Sequence, residues 1–328
     1  MKLLILNHEQ VEQLLPMDAC IEVMAEALLS LAKGAVHQPL RMVVRPPDAA
    51  GLMGLMPAYM SGDHAAYALK AVCLFPQNSA IGKDAHQGSV MLFSAETGEL
   101  LALMNASAIT AIRTAAVSGL ATRLLAKKEA CDLAIIGSGV EAASHLAAMA
   151  IVRPLKRVRV ASRRLENARK FADKMTARYD FPVEAVESVE AAVKGADLIV
   201  TVTTATEPVV QYDWIAPGVH LNVVGSSIPT TREVDTATMK ASSLFVDRRE
   251  STLNEAGDYL FAAKDGAIGP EHVKAELGEL LTSERQGRKS ADEITLFKSL
   301  GLAVEDLASA EYIYRQAQAK EIGTWVDF

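Results

Sequence analysis

Cysteine is scarce in this chain, with three residues in 328. Cys20, Cys73 and Cys131 lie far apart, in no CxxC or Cys/His spacing. This excludes a disulfide framework and a zinc site, and no metal is expected. Three reduced thiols fit a cytoplasmic protein, the expected location. Aromatic residues make up 5%, too few for base-stacking platforms. Positive charge is not in excess: 33 Lys and Arg face 40 Asp and Glu, for a net charge of −7. Without a basic stripe to neutralise phosphates, nucleic acid is not an expected partner. Nor is a membrane, because no apolar run reaches spanning length. The stretch around Ala102–Ala126 is interrupted by Asn105, Arg113 and Arg123, and the apolar start of MKLLILNHEQ is too short for a signal peptide. What remains is a globular composition, 50% hydrophobic and 22% charged, at a length that suits two domains.

Two textures divide the chain. Asp18 reads as a helix N-cap, followed by Ile21, Met24, Ala27, Leu28 and Leu31 at helical spacing and a stop at Gly34. From Pro39 to Phe93, β-rich runs (Met42–Val44, Leu69–Phe75, Ser89–Phe93) alternate with turn residues, and Thr97-Gly98 marks a hairpin. This part predicts an α+β domain with a mainly antiparallel sheet. A helical pattern from Ile109 leads to the apolar run Leu133–Ile136, suited to a parallel strand buried on both faces. Strands at Arg157–Ala161, Pro182–Ala185, Asp197–Val202 and His220–Val224 then alternate with helices from Glu141, Leu165 and near Val189. This is the βαβ signature of a Rossmann-type sheet. A last helix over Glu305–Gln318 returns to the first domain. The fold expected is α/β: a dinucleotide-binding domain over 119–302, inserted into a substrate-binding and dimerisation domain made of 1–118 and 303–328.

Gly137-Ser138-Gly139-Val140-Glu141-Ala142 sits between the strand at Leu133–Ile136 and a helix, where a GxGxxA carries physical meaning. Gly137 allows the tight turn, Gly139 lets the backbone approach a pyrophosphate, and Ala142 lets the helix pack closely. An ordinary strand–turn–helix with two turn glycines is the alternative. About 20 residues on, where an NAD enzyme places a carboxylate, stand Ser162, Arg163 and Arg164. Two guanidinium groups there could grip a 2′-phosphate, so NADP(H) is favoured over NAD(H); solvated loop charges are the alternative. Thr203, Ala205 and Thr206 end the fourth strand, and Gly225-Ser226-Ser227 end the fifth. Both ends face the ligand crevice, though capping is a competing role for them.

Arg41, Lys70 and Arg113 are ionisable groups in apolar surroundings. An unpaired buried ammonium is costly, so Lys70 is either functional or an edge-strand lysine facing solvent. Arg113 is expected to meet an anion, either from a ligand or from a buried acid of the protein.

Several stretches together give the chain a likeness. They are Gly51–Tyr59 (GLMGLMPAY), His86–Phe93 (HQGSVMLF), Ile109–Ala116 (ITAIRTAA), the Gly137–Ala142 loop, Val202–Thr206 and Phe297–Asp306 (FKSLGLAVED). Over its whole length the chain resembles the ornithine cyclodeaminase/mu-crystallin family. The resemblance implies a Rossmann domain, a substrate domain whose sheet also makes a homodimer, and a bound nicotinamide cofactor. It implies that Arg41 and Arg113 hold a substrate carboxylate and that Lys70 passes a proton. Met56, Ser227 and Phe297 would join the substrate site. His86, Arg113, Thr114, the Gly137–Glu141 loop, the residues after the second strand and Ser226 would contact the cofactor. Where cyclodeaminases of the family carry a glutamate and an aspartate, this chain has Gly54 and Ser227. That likeness is to the ketimine reductases, and it implies reduction of small cyclic α-imino acids such as Δ1-pyrroline-2-carboxylate or Δ1-piperideine-2-carboxylate. An ornithine cyclodeaminase, an alanine-type dehydrogenase and a crystallin-like ligand-binding protein remain alternatives.

Overall fold

Alternation of apolar residues at period two builds the first sheet. In the computed structural model, which describes residues 2–328, the chain opens with β1 (Lys2–Leu6), α1 (His8–Leu14) and α2 (Met17–Ala32). The short strands β2 (Val36–His37) and β3 (Met42–Val44) follow. The long strands are β4 (Leu52–Met60), β5 (Ala66–Leu74), β6 (His86–Ser94) and β7 (Leu100–Asn105), and α3 (Ala106–Leu125) comes next. The second part contains β8 (Asp132–Ile136), α4 (Val140–Val152), β9 (Arg157–Ala161), α5 (Leu165–Thr176), β10 (Val183–Ala185), α6 (Val189–Val193), β11 (Leu198–Thr201) and β12 (His220–Val223). It continues with α7 (Thr236–Ala241), β13 (Ser243–Val246), α8 (Arg249–Glu255), α9 (Gly257–Lys264), β14 (Val273–Glu276), α10 (Leu277–Leu281) and β15 (Thr295–Lys298). Helix α11 (Ala303–Lys320) and β16 (Thr324–Asp327) close the chain.

Two units result: Met1–Arg113 with Gly301–Phe328, and Thr114–Leu300. The sequence reading places these limits at 118/119 and 302/303. The differences fall inside the unbroken helix α3 and just ahead of α11, where no local signal marks a change of unit. In the first unit the sheet order is β16-β1-β7-β6-β5-β4-β2, with β3 beside β4. Pairing is antiparallel except between β1 and β7. Even-numbered residues of β5 (Ala66, Ala68, Lys70) are buried, and helices α2 and α11 pack together over this part of the unit. Asp18 is not the N-cap of α2. Pro16 is, and Asp18 lies in the first turn, accepting from the Ala19 N–H at 2.9 Å. Gly34 has the left-handed φ of +74° expected of a helix stop.

The second unit is a fully parallel sheet, β10-β9-β8-β11-β12-β15-β13-β14. Strand order reverses between β8 and β11, a topological switch point. The sequence reading names no element from 225 to 302. The strands there are four residues long and the helices five to eight, too short for periodicity to register.

Two buried histidines stiffen this unit. His145 on α4 meets the Ser118 Oγ at 3.0 Å and the Glu141 carbonyl at 2.7 Å. His220 on β12 meets the Thr295 Oγ1 at 2.9 Å. Burial pushes their pKa values down to about 4 and about 3. Both values lie below the unfolded value near 6.5, so the unfolded chain binds more protons as the pH falls. Stability should be fully present above about pH 6.5 and decline towards pH 4, by roughly 3 kcal/mol for His145 alone. Urea midpoints measured from pH 7.5 to 4 check this; a flat profile would remove both histidines from the account.

Candidate active site

Lys70 lies in the middle of β5, in register with Met56 on β4 and Val90 on β6. It therefore has strands on both sides, and the edge-strand alternative falls. The residue is 2% exposed, and its side chain meets α11, which packs on β4, β5 and β6. Lys70 Nζ pairs with Asp306 Oδ2 at 2.7 Å. The other Asp306 oxygen accepts from Arg113 Nε at 3.1 Å, and Arg113 Nη1 donates to Glu305 Oε2 at 2.9 Å. Buried acids are thus partners of Arg113, as one of its two sequence readings anticipates. Arg41, just ahead of β3, donates from Nη2 to the Gly301 carbonyl at 3.0 Å. Gly301 adopts φ +78°, and a Cβ there would stand 2.5 Å from Arg113 Nη1. Only glycine satisfies both the backbone and the guanidinium.

The cluster holds three cations, Arg41, Lys70 and Arg113, and two carboxylates, Glu305 and Asp306. Burial, then the Arg113 charge, pushes Lys70 down to about 8, against the pull of Asp306. At neutral pH the lysine is still mostly protonated yet close to release, as a proton donor requires. Burial pushes Asp306 up, but the charges and hydrogen bonds of Arg113 and Lys70 outweigh it and hold the carboxyl below its usual range. His86, half-buried on β6, is pushed down to about 4 by burial and by Lys70 and Arg113, so it is neutral at pH 7. The structure therefore brings Arg41, Met56, Lys70, His86 and Arg113 together in the first unit.

The second unit carries the dinucleotide motif. Gly137 has φ +124°, and a Cβ would lie 2.6 Å from the Val202 carbonyl. Around Gly139 the space is open to 4 Å, and it caps α4 in an extended conformation with no side-chain cap. A bare helix start beneath open space fits a pyrophosphate. Ser138 Oγ donates to Ser162 Oγ at 3.0 Å, tying this loop to the end of β9. Arg163 and Arg164 are exposed there, and neither forms an ion pair among the described residues. Val140 is exposed, Glu141 half-buried and Thr114 buried. After β11, Thr203 and Ala205 are half-buried and Thr206 is exposed. Ser226 turns its hydroxyl into its own loop, bonding the carbonyl and the hydroxyl of Thr231. Phe297, expected at the substrate, is fully buried in β15 between Asn222 and Phe245 and is a core residue. Ser227 is half-buried beside Ser226.

A profile of the ornithine cyclodeaminase/mu-crystallin family matches residues 1–321. The chain belongs to this family. It is 42% identical over 291 residues to mouse ketimine reductase mu-crystallin, covering 88% of each chain. The solved structure of Thermococcus litoralis Δ1-pyrroline-2-carboxylate reductase in complex with NADH and L-proline superposes with a TM-score of 0.95 at 39% identity, covering 98% of this chain and 99% of that one. An archaeal alanine dehydrogenase dimer with bound NAD superposes at 0.94 with 33% identity, over 100% of both chains.

Within this family member, sequence reasoning left several residues without a role. Glu305 and Asp306 carry a usable signal: two adjacent acids in the first turn of a helix whose neighbours Val304, Leu307 and Ala308 are apolar. Glu233 and Asp258 carry none, because their partners are remote in sequence. Glu233 is fully buried and accepts from Thr201 Oγ1, Thr203 N, Thr203 Oγ1 and Gly225 N at 2.6–2.8 Å. Lys298 pairs with Asp258 at 2.9 Å and donates to the Ser226 carbonyl at 2.6 Å.

Asp306→Asn would leave Lys70 and Arg113 buried with half their compensation. Removing one partner of a buried pair costs about 3–5 kcal/mol. Urea unfolding should show a loss of that order, partly restored when Lys70→Met is added to the same chain. No loss in Asp306→Asn would mean that the ion pairs contribute nothing.

Proposed function

We propose that this protein is an NAD(P)H-dependent reductase of small cyclic α-imino acids, converting Δ1-pyrroline-2-carboxylate or Δ1-piperideine-2-carboxylate to proline or pipecolate. One observation carries the reading: the buried cluster of Lys70 and Arg113 against Glu305 and Asp306, with Arg41 close by and a lysine whose pKa is about 8. Arg41 and Arg113 orient the substrate carboxylate, supplying the geometry on which the reaction depends. Lys70, held by Asp306, gives a proton to the imine nitrogen, which makes the adjacent carbon electrophilic. The dinucleotide, when bound, supplies the hydride. Gly54 and Ser227 lack the carboxylates that a cyclodeaminase would use on a second amino group. The likenesses to a ketimine reductase and to a Δ1-pyrroline-2-carboxylate reductase support the same substrate class.

NADPH is the favoured cofactor, on the exposed Arg163 and Arg164 and the absence of an acid at Ser162. We also infer a homodimer formed through the outward face of the first-unit sheet. There Met42, Val44, Met53 and Tyr67 are 62%, 48%, 42% and 48% exposed, a run of apolar surface suited to a second copy.

Four measurements test this. Imine reduction should fall as the pH rises through about 8, because the protonated lysine is the active form. Lys70→Met should lower kcat more than it raises KM. Near-wild-type turnover in that variant, or ornithine deamination at a rival rate, would overturn the assignment. Ser162→Asp keeps an acceptor for the Ser138 hydroxyl but repels a 2′-phosphate, so the kcat/KM ratio of NADPH to NADH should collapse or invert. An unmodified protein that already prefers NADH would refute the NADPH choice.

A further inference from the structure

The carboxylate of Glu233 is the most heavily bonded acid in the second unit that the mechanism above does not use. Its two oxygens accept from both neighbouring strand ends. Oε1 takes Thr203 N and Oγ1 at 2.7 Å each, while Oε2 takes Thr201 Oγ1 at 2.8 Å and Gly225 N at 2.6 Å. The two loops so joined follow β11 and β12. The second of them is also held by Lys298, whose Nζ donates to the Ser226 carbonyl and pairs with Asp258. Asp258 in turn accepts from Glu233 N at 2.7 Å and Val234 N at 3.1 Å. All three residues are 0–1% exposed, so none of them touches a ligand directly.

Strand order says which part of a ligand these loops would meet. The Ser162–Arg164 turn follows β9, on one side of the switch point between β8 and β11, and would take the adenosine half of a dinucleotide. The ends of β11 and β12 lie on the other side, where the nicotinamide half goes. We propose that Glu233 is a positioning residue for that half: one buried carboxylate fixes the loops after β11 and β12 in the shape that receives the nicotinamide ring. The proposal rests on the dinucleotide reading above and adds a residue to it.

The test separates the two halves of the ligand. Glu233→Gln sets an NH2 group against donors that now meet an oxygen. Thr201→Val, an isosteric change at a fully buried strand position, removes a single hydroxyl from Oε2. NADPH binding is read by reduced-nicotinamide fluorescence, ADP binding by calorimetry, and melting temperature alongside. Glu233→Gln should bind NADPH about tenfold more weakly, while ADP affinity stays within about twofold and Thr201→Val shows the same split to a smaller degree. Should Glu233→Gln fail to fold, Thr201→Val alone carries the comparison. Unchanged NADPH affinity, or an equal loss for ADP and NADPH, would overturn the proposal. An unmodified chain that binds neither ligand would remove the dinucleotide reading and this proposal with it.

Discussion

Asp306 holds two buried cations with one carboxylate, and the first unit depends on that arrangement. Lys70 and Arg113 are 2% and 4% exposed, and neither charge is tolerable there without a partner. Asp306 supplies an oxygen to each, Glu305 a further one to Arg113, and Gly301 the room that the guanidinium occupies where a Cβ would stand. A sheet strand, two helices and a left-handed turn converge on these atoms. Replacing a buried ion network by apolar groups of the same volume is often neutral or stabilising, so under the proposed function this network is a cost accepted for chemistry. It keeps a lysine protonated, near its point of release, and oriented.

The second unit uses the same device at a different place. Glu233, Asp258 and Lys298 form a buried network whose hydrogen bonds run to the loops at the carboxyl ends of β11 and β12. Parallel strands end in irregular backbone that must be both shaped and satisfied. A carboxylate with four donors and an ammonium on a carbonyl do both without placing a charge in the open. The stretch Phe297–Asp306 serves each unit in turn: Lys298 in the second, then Gly301, Glu305 and Asp306 in the first. Such a stretch tolerates little change because nearly every polar residue in it has a buried partner.

Much of this was legible in the sequence. The apolar run Leu133–Ile136, the glycine loop behind it and the alternating elements after it prescribe a parallel sheet with a bare helix start, since local spacing and backbone freedom alone decide those features. A charged residue amid apolar neighbours, as at Lys70 and Arg113, marks a candidate ion, although spacing alone leaves Lys70 open between a buried position and an exposed edge. The missing acid at Ser162 is equally local. The short strands and helices between 225 and 302 are not legible, because four or five residues cannot display a period.

Partners were decided only by the tertiary structure. That Lys70 lies centrally and not at an edge follows from β4 and β6 pairing on either side of β5. That Arg113 meets Asp306, 193 positions away, follows from α11 packing across the same sheet. That Phe297 is fully buried between Asn222 and Phe245, and that the Ser226 hydroxyl bonds Thr231, follow from neighbouring strands and loop backbone that no local pattern announces. Residue type and spacing determine which groups must find a counter-charge; long-range packing determines which group supplies it, and no local pattern encodes that choice.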